Sequence, residues 1–315
     1  MHRSIAILAL LLPVFIQAAW TDVGAEFEFY RESPATAALG SCGLSLGQDP
    51  AAWGYNPATG ADAGTGLLLK HTSAFVQNGT ISNDLLGVTY LTRFGALGGL
   101  VYRNGAGNIY LTELPDTTRP AGPDNRPFAA DTVTASDWAG QAGAVFNIRR
   151  LSLGASLKFF YRNLVAAKGF GLGADLGVRY SFDWGLFLGA RLANVSASPV
   201  FWDTDSVDYL VPRGALGGMQ EFTFSNTKLR LYLETEMGFM GIDSLEMTVG
   251  PFYLRPRGGL EILIYDVVAL RAGRGDYGWT VGAGGAFKGF FADYAYRGHD
   301  GGLKGTHLVS LGYLF

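Results

Sequence analysis

The sequence SPATAALGSCGLSLGQDPAAWGYNPATG (residues 33–60) is rich in small residues and lacks the alternating pattern of the rest of the chain. Pro34 favours the first turn of a short helix, where its missing N–H costs nothing. Asp49, placed before a proline, predicts a second helical start with its side chain as the N-cap. Asn56 also precedes a proline and is expected to be extended or in a turn. The stretch therefore predicts a compact segment that ends at Gly60.

From residue 65 onward, apolar and polar residues alternate in many segments. This period of two is typical of β-strands with an apolar face toward lipid and a polar face toward a lumen. The apolar series expected to face lipid includes Leu153, Leu157, Leu172, Leu176, Leu229 and Leu231.

The alternating segments number about fourteen, an even number, as an outer-membrane barrel requires. They fall at 65–77, 83–93, 95–104, 136–149, 151–164, 169–182, 184–195, 211–224, 227–240, 256–265, 267–274, 277–287, 289–297 and 305–315. The connections alternate between tight and long polar ones. The tight ones fall at 94–95, 149–151, 182–184, 224–227, 265–267 and 287–289, and the long ones at 105–135, 196–210, 241–255 and 298–304. Short periplasmic turns and long outer loops are expected to alternate in this way.

The composition excludes several classes of protein. The chain is 48% hydrophobic and 16% charged, with 45 glycines, 21 phenylalanines and 15 tyrosines, yet it has no apolar run of the roughly 20 residues that a membrane helix needs. A net charge of −3 gives no reason to expect nucleic acid as a partner. We predict an all-β protein: a transmembrane antiparallel β-barrel with an N-terminal plug, or hatch.

Residues 1–19 have the pattern of a secretory signal peptide. His2 and Arg3 precede an apolar run, and small residues follow it up to Ala19. We therefore divide the chain into a signal peptide (1–19), a plug (20–60) and a barrel (61–315), and we expect the mature protein in the cell outer membrane.

The plug sequence resembles the motif that precedes the barrel in the PorV/PorQ family of outer-membrane proteins. The residues that carry the resemblance are Ala38, Leu39, Gly40, Leu46, Asp49, Ala51, Ala52, Asn56, Pro57, Ala58 and Gly60. Ser41 and Cys42 depart from it, and Gln48 stands where the family has the first of two acids. The resemblance implies an accessory or attachment component of type IX secretion, with secretion-system proteins or secreted cargo as partners. The same superfamily includes the fatty-acid transporter FadL, so a FadL-like channel for hydrophobic small molecules is the alternative.

The strand register places charges of both signs in the lumen. They are Lys158, Arg162, Asp175, Arg179, Arg191, Arg230, Glu234, Glu236, Glu261, Arg271, Asp293 and Arg297. Charges removed from bulk water are retained when they are paired, so we expect cross-strand ion pairs and, as an alternative, pairing with Asp49 of the plug. Such a face is unfavourable for an apolar ligand. The candidate apolar lining is Phe160, Phe187 and Phe291 of the barrel with Trp53 and Tyr55 of the plug.

No catalytic set or cofactor site stands out in the sequence. There is no Ser/His/Asp or Cys/His grouping that would place a nucleophile beside a base, so we expect no enzymatic activity. Asp203, Asp205 and Asp208 are suitable Ca²⁺ ligands by type, but the spacing lacks the glycine turn and distal glutamate of a full Ca²⁺ loop. We interpret them as a solvated acidic loop and assign no cofactor.

Phe201 and Trp202 stand in the connection 196–210, which we expect to be an outer loop. Exposed aromatic residues in such loops often mark contact sites for partner proteins. We therefore assign these two residues to partner contact on the cell surface.

The last strand ends in an aromatic residue, with Leu311, Tyr313 and Phe315 on one face. This ending resembles the signal that the barrel assembly machinery reads in outer-membrane proteins.

Deletion of Phe315 is expected to lower the amount of folded protein in the outer membrane severalfold, because the terminal aromatic of that signal is lost. The measurement is the heat-modifiable band in fractionated outer membranes. Phe315→Tyr keeps an aromatic end and serves as the control. Normal assembly of the deletion variant would contradict the assignment.

Overall fold

The computed structural model describes residues 31–74, 81–195, 197–239, 247–249, 252–300 and 304–315. The predicted signal peptide and the first part of the predicted plug, residues 20–30, lie outside the described residues. The described part of the chain contains no helix that is long and apolar enough to cross a membrane.

Within the described ranges, helical structure is confined to the segment before the first strand. It comprises α1 (Pro34–Ala37) and two 3-10 turns, Ala52–Gly54 and Pro57–Thr59. The strands are β1 (Gly66–Ala74), β2 (Ile81–Thr92), β3 (Gly95–Glu113), β4 (Phe128–Ile148), β5 (Leu151–Asn163), β6 (Lys168–Ser181), β7 (Leu186–Ala193), β8 (Ser198–Trp202), β9 (Val207–Leu210), β10 (Arg213–Phe224), β11 (Thr227–Phe239), β12 (Met247–Val249), β13 (Phe252–Ile264), β14 (Val268–Gly275), β15 (Gly278–Phe287), β16 (Phe290–Arg297) and β17 (Thr306–Leu314).

Fourteen of these strands form a closed antiparallel wall. Closure follows from β1, which pairs with β2 on one side and with β17 on the other. The remaining three, β8, β9 and β12, are short additions at one end of the wall. The predicted fold class is confirmed, and the closed wall leaves no open sheet edge in the lipid, where unpaired backbone groups are costly.

Neighbouring residues of each strand lie on opposite faces of the wall. In β5, the side chain of Leu157 is 63% exposed on the outer surface, whereas Lys158 is 3% exposed and points into the lumen. Leu153, Leu172, Leu176 and Leu231 are exposed on the outside as well, and Leu229 is half-buried. The apolar face therefore meets lipid in the register that the alternation predicts.

The prediction that residues 105–135 form a loop is wrong over most of that range. β3 continues to Glu113 and β4 begins at Phe128, so the two strands extend as a ribbon past the end of β2. Outside lipid, neither face of a ribbon has to be apolar, so the alternation disappears while the β-forming residues remain. At its tip, Asn125 is buried and its amide donates to the carbonyls of Asp116, Arg119 and Pro120.

The prediction that residues 196–210 form a loop is also wrong. Apart from residue 196, which is not described, they contain the hairpin β8–β9. β8 pairs with the first residues of β6, where Phe201 lies opposite Phe170. Pro199 lowers the strand propensity, although a proline is tolerated at sheet edges. Phe201 and Trp202 thus lie in a strand that caps one side of the barrel.

The segment before β1 fills the lumen as a plug. Ser33 is the N-cap of α1, and its side chain accepts a hydrogen bond from the Thr36 N–H. Wall glycines allow the plug backbone to approach closely: a Cβ at Gly154 would lie 2.2 Å from the nitrogen of Ala58, and one at Gly273 would lie 2.3 Å from that of Gly40. No residue with a side chain fits at these two wall positions without displacing the plug.

Leu176→Arg places a charge on the lipid-facing surface near the middle of β6. We expect a loss of about 2 to 4 kcal/mol in the free energy of unfolding in lipid vesicles, since this is the cost of arginine near the bilayer midplane. Leu176→Met keeps the face apolar and is the matched control. Equal stability of the two variants in urea titrations would show that the outward register is wrong.

Candidate functional site: the plug and the lumen that holds it

The wall supplies hydrogen-bond acceptors for plug backbone N–H groups that are not bonded within a helix. The Glu234 carboxylate of β11 accepts the N–H of Gly43 at 3.1 Å and that of Leu44 at 2.8 Å. Glu234 is 4% exposed. Buried backbone donors must find partners, so this one carboxylate anchors the centre of the plug.

The wall also supplies donors for plug carbonyl groups. The Arg191 guanidinium of β7 donates to the carbonyl of Gly54 at 3.1 Å and to that of Tyr55 at 2.7 Å. From β4, the Gln141 amide donates to the carbonyl of Trp53 at 2.9 Å. The interior of the wall therefore matches the plug backbone with both donors and acceptors.

Ion pairs connect the two ends of the described plug segment to the wall. Glu32 pairs with Arg297 of β16, and Asp62 pairs with Arg179 of β6. Arg31 lies 3.8 Å from the carboxylate of Asp175. Ion pairs thus hold the plug on both sides, at Glu32 before its motif and at Asp62 just before β1.

The other predicted lumen charges form cross-strand pairs. Lys158 of β5 lies 2.7 Å from Asp175 of β6. On the opposite side of the barrel, the Glu261 carboxylate of β13 contacts Arg230 at 2.9 Å and Arg271 at 2.7 Å. Arg271 also contacts Asp293 of β16 at 2.5 Å, which extends this network. Separately, Arg162 of β5 pairs with Asp137 of β4 at 2.9 Å.

The plug motif residues lie together inside the lumen. The Gly40 N–H donates to the Thr280 hydroxyl at 3.0 Å, with Gly40 in the left-handed region at φ +70°. Asn56 is extended, and its amide donates to the carbonyl of Leu44 at 2.6 Å. Pro57 and Ala58 form the second 3-10 turn that Asn56 caps.

Asp49 makes no ion pair among the contacts of the described residues, so the expectation that it pairs with a lumen charge is wrong. Its carboxylate instead accepts the N–H of Ala51 at 2.8 Å, and the N-cap of the first 3-10 turn is Ala51, not Asp49 as the sequence predicts. Burial raises the pKa of Asp49 to about 6, because a desolvated carboxylate favours its neutral form.

An apolar strip lines the other half of the lumen, on the side of β1 to β5. It runs from Leu210 and Val200 of the β8–β9 hairpin to Trp53 of the plug. Its members are Leu68, Leu85, Ala96, Leu100, Tyr102, Ala139, Val145, Phe160, Val200 and Leu210 with Ala51 and Trp53. Phe291 packs against this strip, whereas Phe187 packs against Leu39 and Cys42 on the other side of the plug.

The remaining predicted residues lie away from this centre. Phe201 stacks on Phe170 with ring centroids 5.5 Å apart, and the Trp202 indole donates to Asp208 at 2.8 Å. Leu311 and Phe315 are exposed on the outer face, and Tyr313 packs against Phe290. Among the described residues, no group of acidic, histidine or cysteine side chains is arranged to hold a metal ion.

Several lumen contacts were not predicted from the sequence. Glu32 and Asp62 flank the plug motif, Thr280 carries the contact to Gly40, and Thr89 accepts a hydrogen bond from the Trp53 indole at 2.9 Å. Charges immediately beside a glycine-rich segment were the available signal for Glu32 and Asp62. A threonine in an alternating strand gives no such signal.

The closed wall, the internal plug and the lipid-facing apolar belt define an outer-membrane β-barrel with a plugged lumen. No protein-family model matches the sequence, and no curated protein matches it. Solved structures do share the fold. The toluene transporter TodX of Pseudomonas putida aligns with a TM-score of 0.57 and 12% identity over 90% of this chain and 98% of its own.

Two further channels align similarly. The toluene transporter TbuX of Ralstonia pickettii has a TM-score of 0.55 at 12% identity, covering 90% of this chain and 98% of its own. The monoaromatic hydrocarbon channel CymD has a TM-score of 0.54 at 12% identity, covering 89% and 96%. At this identity the likeness shows the fold alone, an outer-membrane β-barrel.

Glu234→Ala removes the acceptor of two buried plug N–H groups, and each unsatisfied donor costs about 1 to 3 kcal/mol. We expect the plug to loosen while the wall remains closed, so ion conductance in planar bilayers rises severalfold. Glu221→Ala, which removes a carboxylate paired with Arg230 and not in contact with the plug, is the control. Unchanged conductance in the Glu234 variant would contradict the anchoring role.

Proposed function

We propose that the protein is a plugged outer-membrane conduit for a small hydrophobic molecule. The observation that carries the proposal is the apolar strip, which follows the lumen wall along β1 to β5 from the β8–β9 hairpin to Trp53. Apolar surface retains a hydrophobic ligand at about 25 cal/mol per Å² of buried area. The hydrocarbon channels of the same fold support this reading.

The plug is suited to act as the gate of such a conduit. Many of its wall contacts are hydrogen bonds and ion pairs, which exchange readily with water when the segment shifts. One of its apolar anchors, Trp53, belongs to the strip itself. A ligand that reaches the strip therefore competes directly with a plug side chain, and this competition is a physical route to opening.

Leu85→Asn introduces a polar group into the strip, where Leu85 is 2% exposed. We expect uptake of toluene by cells that express the variant to fall about tenfold, since an unpaired buried amide costs about 1 to 3 kcal/mol. Leu86→Asn changes the neighbouring residue, which faces lipid, and should leave uptake unchanged. Equal uptake by both variants at equal amounts of folded protein would show that toluene does not pass along the apolar strip.

A second candidate function is attachment of a surface partner, as the PorV/PorQ resemblance implies. The extended ribbon of β3 and β4 favours it, because Tyr110 and Phe128 are exposed there at 65% and 49%. This candidate is supported instead if Tyr110→Ala abolishes cross-linking to a surface protein while toluene uptake is the same with and without the wild-type protein.

A further inference from the structure

The charged half of the lumen encloses a cavity near the end where the long connections lie. Arg213 at the start of β10, Asp276 between β14 and β15, and Arg297 at the end of β16 line it. Five arginines and four carboxylates contribute to its lining. The cavity has a volume of about 50 Å³, which is room for a few waters or one small polar group.

At one wall of this cavity, Glu236 lies among three arginines without close contact to any of them. Its carboxylate oxygens are 3.7 Å from Arg213, 3.7 Å from Arg255 and 3.6 Å from Arg257. These separations are too long for hydrogen bonds. Arg257 is held in place by Asp276, with contacts of 3.0 and 2.5 Å.

The Glu236 side chain is 8% exposed, and its oxygen Oε1 accepts no hydrogen bond within the described part of the chain. A buried oxygen of this kind favours a ligand that donates an O–H to it. The surrounding guanidinium groups favour a ligand that carries negative charge, since arginine binds oxyanions with charge-assisted hydrogen bonds. The two requirements together select one chemical class.

We propose that this cavity binds a small oxyanion that carries at least one O–H group, with the anionic oxygens at Arg213 and Arg257 and the O–H at Oε1 of Glu236. Hydrogen phosphate and 2-hydroxy carboxylates belong to this class, whereas sulfate and simple carboxylates lack the donor. The site is separate from the apolar strip, and binding there does not require the lumen to conduct. It therefore stands or falls independently of the proposed conduit.

The test is isothermal titration calorimetry on the full mature protein in detergent at neutral pH, with inorganic phosphate and sulfate as probes at equal ionic strength. We expect the Kd for phosphate to be about tenfold lower than that for sulfate, which is the effect of one additional hydrogen bond to a charged acceptor. Lactate and propionate form a second pair with the same difference in chemistry, and lactate should bind more tightly.

Two variants test which side chains bind the anion. Glu236→Gln replaces the acceptor with an amide that can donate, so sulfate should then bind at least as tightly as phosphate. Arg213→Gln should weaken binding of both anions about tenfold. Glu221→Gln and Arg162→Gln alter ion-paired lumen residues outside the cavity and should leave both affinities unchanged.

The wild-type measurement decides the matter even if a variant fails to fold. Equal affinities for phosphate and sulfate, or no binding of either at about 10 mM, would overturn the proposal. A comparison of lactate with 2-hydroxydodecanoate distinguishes the source of the group. Much tighter binding of the long-chain acid assigns the site to the head of an amphiphile, and equal binding assigns it to a free anion; both outcomes support the chemistry proposed here.

Discussion

The Glu234 carboxylate, buried in the barrel wall and bonded to two backbone N–H groups of the plug, illustrates the constraint on which the structure depends. A plug with so many glycines and so little helix cannot satisfy its own backbone groups, and the closed barrel leaves it little water. The wall must therefore place hydrogen-bond donors and acceptors next to the plug backbone groups that need them. Glu234 and Arg191 meet that requirement, whereas most of the other lumen charges pair with one another across strands.

The lumen divides into two chemically different halves. Along β1 to β5 the wall presents leucine, valine and aromatic side chains that pack on Trp53, interspersed with polar residues such as Gln141 and Lys158. Along β10 to β16 it presents a network in which Glu261 and Arg271 connect several strands. The plug contacts both halves, through Trp53 on the apolar side and through Glu234 and Arg191 on the charged side.

This division explains why fold similarity alone gives an incomplete account of function. The hydrocarbon channels share the fold at 12% identity, and that likeness concerns the fold alone. Which molecules the lumen favours depends on the residues of this chain. The proposed conduit depends on the apolar strip, and the proposed anion site depends on the arginines around Glu236.

Much of the wall was determined by the sequence alone. Alternation with a period of two fixed the outward face, as Leu157 and Lys158 show, because a side chain in a strand has only two directions and lipid accepts only one kind of residue. Small residues and prolines likewise indicated a separate segment before the barrel. The extended ribbon and the β8–β9 hairpin were missed, since strands outside lipid need no apolar face.

Only the tertiary structure decided which lumen charges meet. Glu234 and Arg191 lie on the predicted face, yet they bind plug backbone and not each other, and Asp49 accepts the Ala51 N–H and makes no ion pair among the described residues. Glu236 acquires three arginine neighbours from β10 and β13. The physical reason is that a strand pattern specifies the face on which a side chain lies, whereas its partner depends on strand stagger and on where the plug backbone passes.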